Sequence, residues 1–255
     1  MPPPGSFGMS PPGSYGYAPT GRAYGPTRRI GGLATAITAL QAVSIVGTVL
    51  YLLLQIRLSG DASDFLDGTA SESSFRDSAT SLQSFAFFVS VVALATLVVS
   101  IIWSFRIAAN LEQLGRGPLT WKPGLTIVVW LLGRCTLSII NFFMLREHWR
   151  RSDPQPALAG TSDAAPQRTE SLITAWFVVE IAQICVSVAS GVAAFSAGAF
   201  LRGNDHEALT DLAKSVSDRL GLAVAVAVLS ATSTVLLLLV VRALTARHTR
   251  LTGEA

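Results

Sequence analysis

Four long apolar runs, at 32–55, 83–105, 171–200 and 220–241, divide this chain of 255 residues. Each is near or above the ~20 residues that a helix needs to cross hydrocarbon. Helix is the expected form, because an isolated strand would leave its backbone groups unpaired in lipid. The polar stretches between the runs differ in charge. Between the first two runs, 59–81 carries five acids and one Arg, and between the last two, 202–219 carries four acids and three bases. In contrast, 106–122 carries three bases and one acid, and 146–170 carries four Arg, three of them at its start.

A fifth apolar stretch, 123–149, lies between the two pairs and decides the topology. It holds Arg134 and Asn141 in its middle and ends in the basic run Arg146 to Arg151. If it crosses, each side of the membrane carries nine Lys/Arg; if it returns to the side it came from, thirteen face one side and five the other. Excess Lys/Arg marks the cytoplasmic side, so four crossings are expected, with both termini inside and both acidic segments outside. The central stretch is then a re-entrant or in-plane helix, or one packed in the bundle near its inner face. Pro123 opens it, as proline is tolerated in a first helical turn. Trp103, Trp121, Trp149 and Trp176 are expected at the inner membrane interface, where indole rings prefer to sit. A faint repeat at an offset of 136 sets Thr96 on Thr232, Val99 on Val235 and Arg106 on Arg242. Each pair of runs then reads as helix, acidic segment, helix, basic exit.

Composition agrees with a chain whose solvent is largely lipid. Half of the residues are hydrophobic and 14% are charged, against about 25% charged in a soluble domain. A net charge of +3 is far too small a field for a nucleic-acid partner. Residues 1–30 hold seven of the twelve prolines and three of the four tyrosines and are expected to be a disordered cytoplasmic tail. Residues 31–245 form the membrane domain, and 246–255 a short basic tail. Cys135 and Cys185 sit inside apolar runs, while His148, His206 and His248 fall in three separate polar regions. No metal site or cofactor is expected from that scatter. Nucleophile elbow, phosphate loop, dinucleotide fingerprint and H-E-x-x-H spacing are all missing, so no enzyme is expected either.

Ionisable groups at membrane depth are costly and are the natural candidates for function. Glu180 lies about 13 Å into its run at 1.5 Å per residue, with Gln183 one helical turn further on. Arg134, Ser138 and Asn141 form a second polar stripe, and Thr38, Gln41, Ser44 and Thr48 a third. The expectation is that these stripes meet and that Arg134 pairs with Glu180. In one reading they form an intramembrane site for an ion or small solute; in the other they are helix-to-helix ties. Small residues at spacings of four, such as Ala223, Ala227 and Ala231, suit close packing within the bundle or against a second copy or another membrane protein. Arg146, Arg150 and Arg151 are placed to reach anionic lipid headgroups.

The segment Trp103-Ser-Phe-Arg106, Asn110-Leu111 and Gly115, then a Pro-initiated apolar stretch with Trp130, then Arg146-Glu147-His148-Trp149-Arg150 before Ser152-Asp153-Pro154, resembles one family. It is that of bacterial multi-pass membrane proteins grouped as domain of unknown function 4328. The likeness covers roughly 31–245, and a Pro/Gly/Tyr-rich N-terminal tail is also typical. Members usually carry Pro-x-x-Asn-Leu-x-x-Pro inside the central stretch. Here those prolines fall on Arg134 and Asn141, and the asparagine on Leu137, so a continuous helix is expected. The resemblance implies no activity. The expected protein is an all-α, four-span bundle in the cell membrane with a fifth hydrophobic helix, and its leading role is a non-enzymatic scaffold. The alternative is a small transporter or channel built around Arg134, Glu180 and Gln41.

Overall fold

The computed structural model describes residues 26–133, 136–153, 164–198 and 206–254, without the side chains of 164–168, 190–198 and 208. Its elements are α1 (Gly31–Leu66), α2 (Glu72–Gln113), α3 (Pro123–Leu132), α4 (Ile139–Arg151), α5 (Ala164–Gly198), α6 (His206–Asp218) and α7 (Leu220–Thr252). No strand occurs among the described residues. Long, apolar segments able to cross a bilayer occur in α1, α2, α5 and α7. Around their middles they expose large side chains such as Phe87, Leu94 and Val178, the surface that lipid covers in a spanning bundle.

The helices outrun the apolar segments that mark them in the sequence. With 42 residues, α2 is about 63 Å long, twice the ~30 Å hydrocarbon thickness. The first acidic segment is therefore mostly helix, an extension of α1 and α2 past the membrane. Gly68, at φ 74°, makes the turn between them, and Ser71 caps α2 by accepting from the Ser74 N–H. The second acidic segment forms α6, whose Leu209 and Ala213 lie on one face four residues apart. That face buries against Leu58, Ala62, Phe65 and Phe75 of the α1–α2 extension, with the Phe65 and Phe75 rings stacked 5.5 Å apart. A compact helical cap results at one end of the bundle.

The larger core lies at the other end, and the two ends of the described chain meet there. The first N–H groups of α1 have no helical partner and no cap from Ile30. The Glu254 carboxylate, just past α7, accepts from the Ile30 N–H at 3.0 Å and the Gly31 N–H at 3.0 Å. An anion at the positive end of a helix dipole is favourable in its own right. An even number of crossings requires such neighbouring ends. Residues 26–30, grouped with the tail on composition, lie against this core: Ile30 is fully buried and Arg28 is bonded through its backbone to Asn110.

Glu254→Ala is expected to cost about 1 kcal/mol, the usual worth of a helix N-cap, which in a chain of this size lowers Tm by about 2–4 °C. Thermal unfolding in detergent measures it. An unchanged Tm would show that the carboxylate carries no stability.

Candidate functional site

The central stretch folds as a helical hairpin. Ten residues make α3 about 15 Å long, half the hydrocarbon thickness, so it cannot cross. It leans on α2, where the Trp130 indole donates to Ser104 Oγ at 2.7 Å. The two ends of the hairpin then meet. Both Glu147 carboxylate oxygens, on α4, accept from the backbone N–H groups of Thr120 and Trp121 at 2.9 and 3.0 Å, before α3 begins. Arg151 donates to the Pro118 carbonyl at 3.3 Å. The chain thus enters and leaves at one end, as the re-entrant expectation has it.

The continuous helix expected over 123–149 does not form. Leu137 and Ser138 take φ of 50° and 57°, a left-handed conformation that costs L-residues roughly 1–2 kcal/mol each. The Ser138 N–H closes the turn on the Gly133 carbonyl at 2.6 Å. Asn141 supplies the physical reason. Its side chain lies so close to Gly133 that a Cβ there would be 2.6 Å from Oδ1, whereas residues eight apart on one helix are separated by about 12 Å. A glycine and two left-handed residues make the break where the family motif uses prolines.

The described members of the intramembrane stripes have these partners. Arg134 and Cys135 lie outside the described residues, so the Arg134–Glu180 pair does too. Glu180 accepts from Ser233 Oγ at 2.5 Å, and Gln183 donates to Ser230 Oγ at 2.9 Å. Both bonds join α5 to α7, with matching three-residue steps on antiparallel helices. On α1, Thr38, Ser44 and Thr48 bond back to carbonyls four residues earlier. Gln41 and Asn141 are buried, and Gln41 Oε1 and Asn141 Oδ1 have no partner among the described residues.

The motif residues do converge, at the end where the termini meet. Asn110, fully buried on α2, accepts from the Arg28 N–H at 2.8 Å and donates to the Arg28 carbonyl at 2.9 Å. That pairing orients its amide, so Nδ2 also donates to His248 Nε2 of α7 at 3.2 Å. His248 then carries its proton on Nδ1 and donates it to Ser152 Oγ, beyond α4, at 3.0 Å. Around this node Trp103 donates to Thr245 at 3.1 Å and Arg106 to the Arg29 carbonyl at 2.8 Å. Arg247 stacks over Trp149 at 4.2 Å and pairs with Asp153 at 2.5 Å. Glu170 of α5 meets Arg150 at 2.9 Å and Arg146 at 3.7 Å.

Two expectations change here. Trp103, Trp149 and Trp176 are buried in the protein core rather than laid at a lipid interface, because the hairpin fills this end of the bundle. Only Trp121, of the four, stays half-buried. His148 and His248, a hundred residues apart, are both fully buried and close enough to interact. The spacing carries no hint of this. The α4 pattern does: Asn141, Met144, Leu145, His148 and Trp149 form its buried face, so His148 sits on the apolar side of an amphipathic helix.

Neither ring nitrogen of His148 has a partner among the described residues. Burial, with His248 beside it, pushes its pKa down from 6.5 to about 3. Above pH 6.5 the imidazole is neutral both folded and unfolded. As pH falls from 6.5 towards about 3, only the unfolded chain binds the proton, so stability declines across that window. Acidification from about pH 7.5 to about pH 5 is expected to cost about 2 kcal/mol through His148 alone. His148→Phe should flatten this part of the Tm–pH profile; an identical slope in the variant would rule the mechanism out.

Hairpin and node together define a four-span helical membrane protein with a re-entrant element. The family model described as domain of unknown function (DUF4328) matches residues 67–246, and the chain belongs to that family. The match begins after α1 rather than near residue 31, while every motif residue of the node and hairpin lies inside it. No curated protein and no solved structure matches the chain.

Proposed function

We propose that this protein is a non-enzymatic scaffold of the cell membrane, with the node, both termini and the basic segments at the cytoplasmic face. The observation that supports it most is how the membrane-depth polar groups are used. Glu180 and Gln183 are engaged with Ser233 and Ser230, which ties α5 to α7. Hydrogen bonds of this kind between spanning helices contribute roughly 0.6–2 kcal/mol each. The charge asymmetry of the segments orients the bundle, and residues 26–30 meet Glu254 at the end of α7, so this end of the bundle offers one surface to partners. Those partners are other membrane proteins or a second copy. The alternative, a pathway for an ion or small solute, draws on the buried, unpartnered oxygens of Gln41 and Asn141.

Glu180→Gln keeps an acceptor for Ser233 but removes the titratable charge. In proteoliposomes the scaffold reading expects no solute or ion flux above empty vesicles, and a variant that folds and melts like the parent. A flux that the substitution abolishes would replace the scaffold with the transporter.

Orientation has its own test. With Cys135 and Cys185 replaced, Ser73→Cys should react with an impermeant thiol reagent on intact cells. Thr120→Cys, at the mouth of the hairpin, should react only after the cells are opened. The reverse pattern would invert the proposed topology.

A further inference from the structure

A groove of about 500 Å³ runs between the segment preceding α3 and the outer face of α4, lined by Trp121, Phe143, Arg146, Glu147, Arg150 and Arg151. We infer that it holds the phosphate of one anionic phospholipid, with an acyl chain lying along Phe143. This goes beyond the scaffold reading and holds whichever side of the membrane the node occupies.

The chemistry of the groove is graded along α4. Phe143, half-exposed, stands on the side nearer the hairpin tip. The three arginines follow over the next turns, at the level where Thr120 and Trp121 bond Glu147 and the hairpin has its mouth. A phospholipid carries the same gradient, apolar towards the membrane centre and anionic at the surface. Trp121 adds an indole at that surface, where indoles partition.

The charges match one phosphodiester. Glu147 has both oxygens committed to backbone N–H groups and forms a wall of the groove. Glu170 engages Arg150 through Nε and one terminal nitrogen and stands 3.7 Å from Arg146. Among the described side chains, three guanidinium groups against these two carboxylates leave one net positive charge. Among the described residues each guanidinium keeps unused N–H donors of the five it carries: Arg150 has a second terminal nitrogen, and Arg151 donates from one terminal nitrogen to Pro118. Arg146 is braced with its guanidinium 6.0 Å from the Phe142 ring centroid. Planar, preset donors of this kind suit a phosphate better than a mobile ammonium does.

Glu170 competes with the lipid for Arg146 and Arg150, which gives the inference a test in both directions. The full-length protein, purified in detergent, is incubated with dioleoyl phosphatidylglycerol or dioleoyl phosphatidylcholine, and retained lipid is counted by native mass spectrometry. One phosphatidylglycerol per chain is expected, held about tenfold more tightly than phosphatidylcholine, as a charge-assisted contact allows. Arg151→Gln and Arg146→Gln should each remove most of that preference, and Glu170→Gln should strengthen it, a gain that misfolding cannot produce. Equal retention of the two lipids, or a preference unmoved by all three substitutions, would overturn the site. Displacement by millimolar inorganic phosphate would overturn the lipid and identify free phosphate as the ligand.

Discussion

Asn110 is the contact on which this end of the molecule depends. Its carboxamide sits at zero exposure and is bonded to the backbone on both sides of Arg28 and to His248. Through His248 it reaches Ser152, so one side chain connects the segment before α1 with α2, the exit of α4 and the end of α7. Each bond adds only about 1 kcal/mol net, but removing one leaves a buried polar group unpaired, which costs up to about 3 kcal/mol. Losses of that kind spread along the buried arm of the network, because His248 and Ser152 are fully buried as well. The Glu254 cap on α1 and the Arg247–Asp153 pair sit against the same node and close it from outside.

The hairpin answers a different constraint. Irregular backbone at membrane depth is tolerated only where protein or water satisfies it. In the described part of the turn between α3 and α4, the Gly133 carbonyl takes the Ser138 N–H, and the Thr136 hydroxyl lies 3.2 Å from the Leu132 and Gly133 carbonyls. Asn141 against Gly133 holds the two arms together. The arms also divide the helix faces. On α4, Met144, Leu145, His148 and Trp149 turn into the core, while Phe143, Arg146, Glu147 and Arg150 line a groove on the outside. The same helix therefore supplies the neutral, buried histidine and the cationic groove, and its amphipathic pattern is the reason.

Between these ends the spanning helices pack side by side, α1 against α2 and α7, and α5 against α7. Among the described side chains a carboxylate–hydroxyl and an amide–hydroxyl bond tie α5 to α7, and large apolar side chains such as Phe87 and Val178 are exposed. At the far end α6 covers the α1–α2 extension with a small apolar cluster of its own. The bundle thus has a polar network at one end and a hydrophobic cap at the other.

The helical class, the four spans, and the presence of an apolar stretch between two pairs of them are properties of composition and run length, which lipid imposes directly on sequence. Charge counting went further, since a hairpin that returns to its own side leaves its mark on which segments are basic. The burial of His148 shows in the amphipathic pattern of α4 only once its buried face is known; by spacing alone the three histidines fall in separate polar regions. What sequence could not supply was contact between distant positions. The helix break rests on Gly133 meeting Asn141, the node on Asn110 meeting Arg28 and His248, and the tie from Glu180 on Ser233. Each partner was visible as a residue, yet local propensity and periodicity act over a few positions, and only packing the helices together selects which polar group satisfies which.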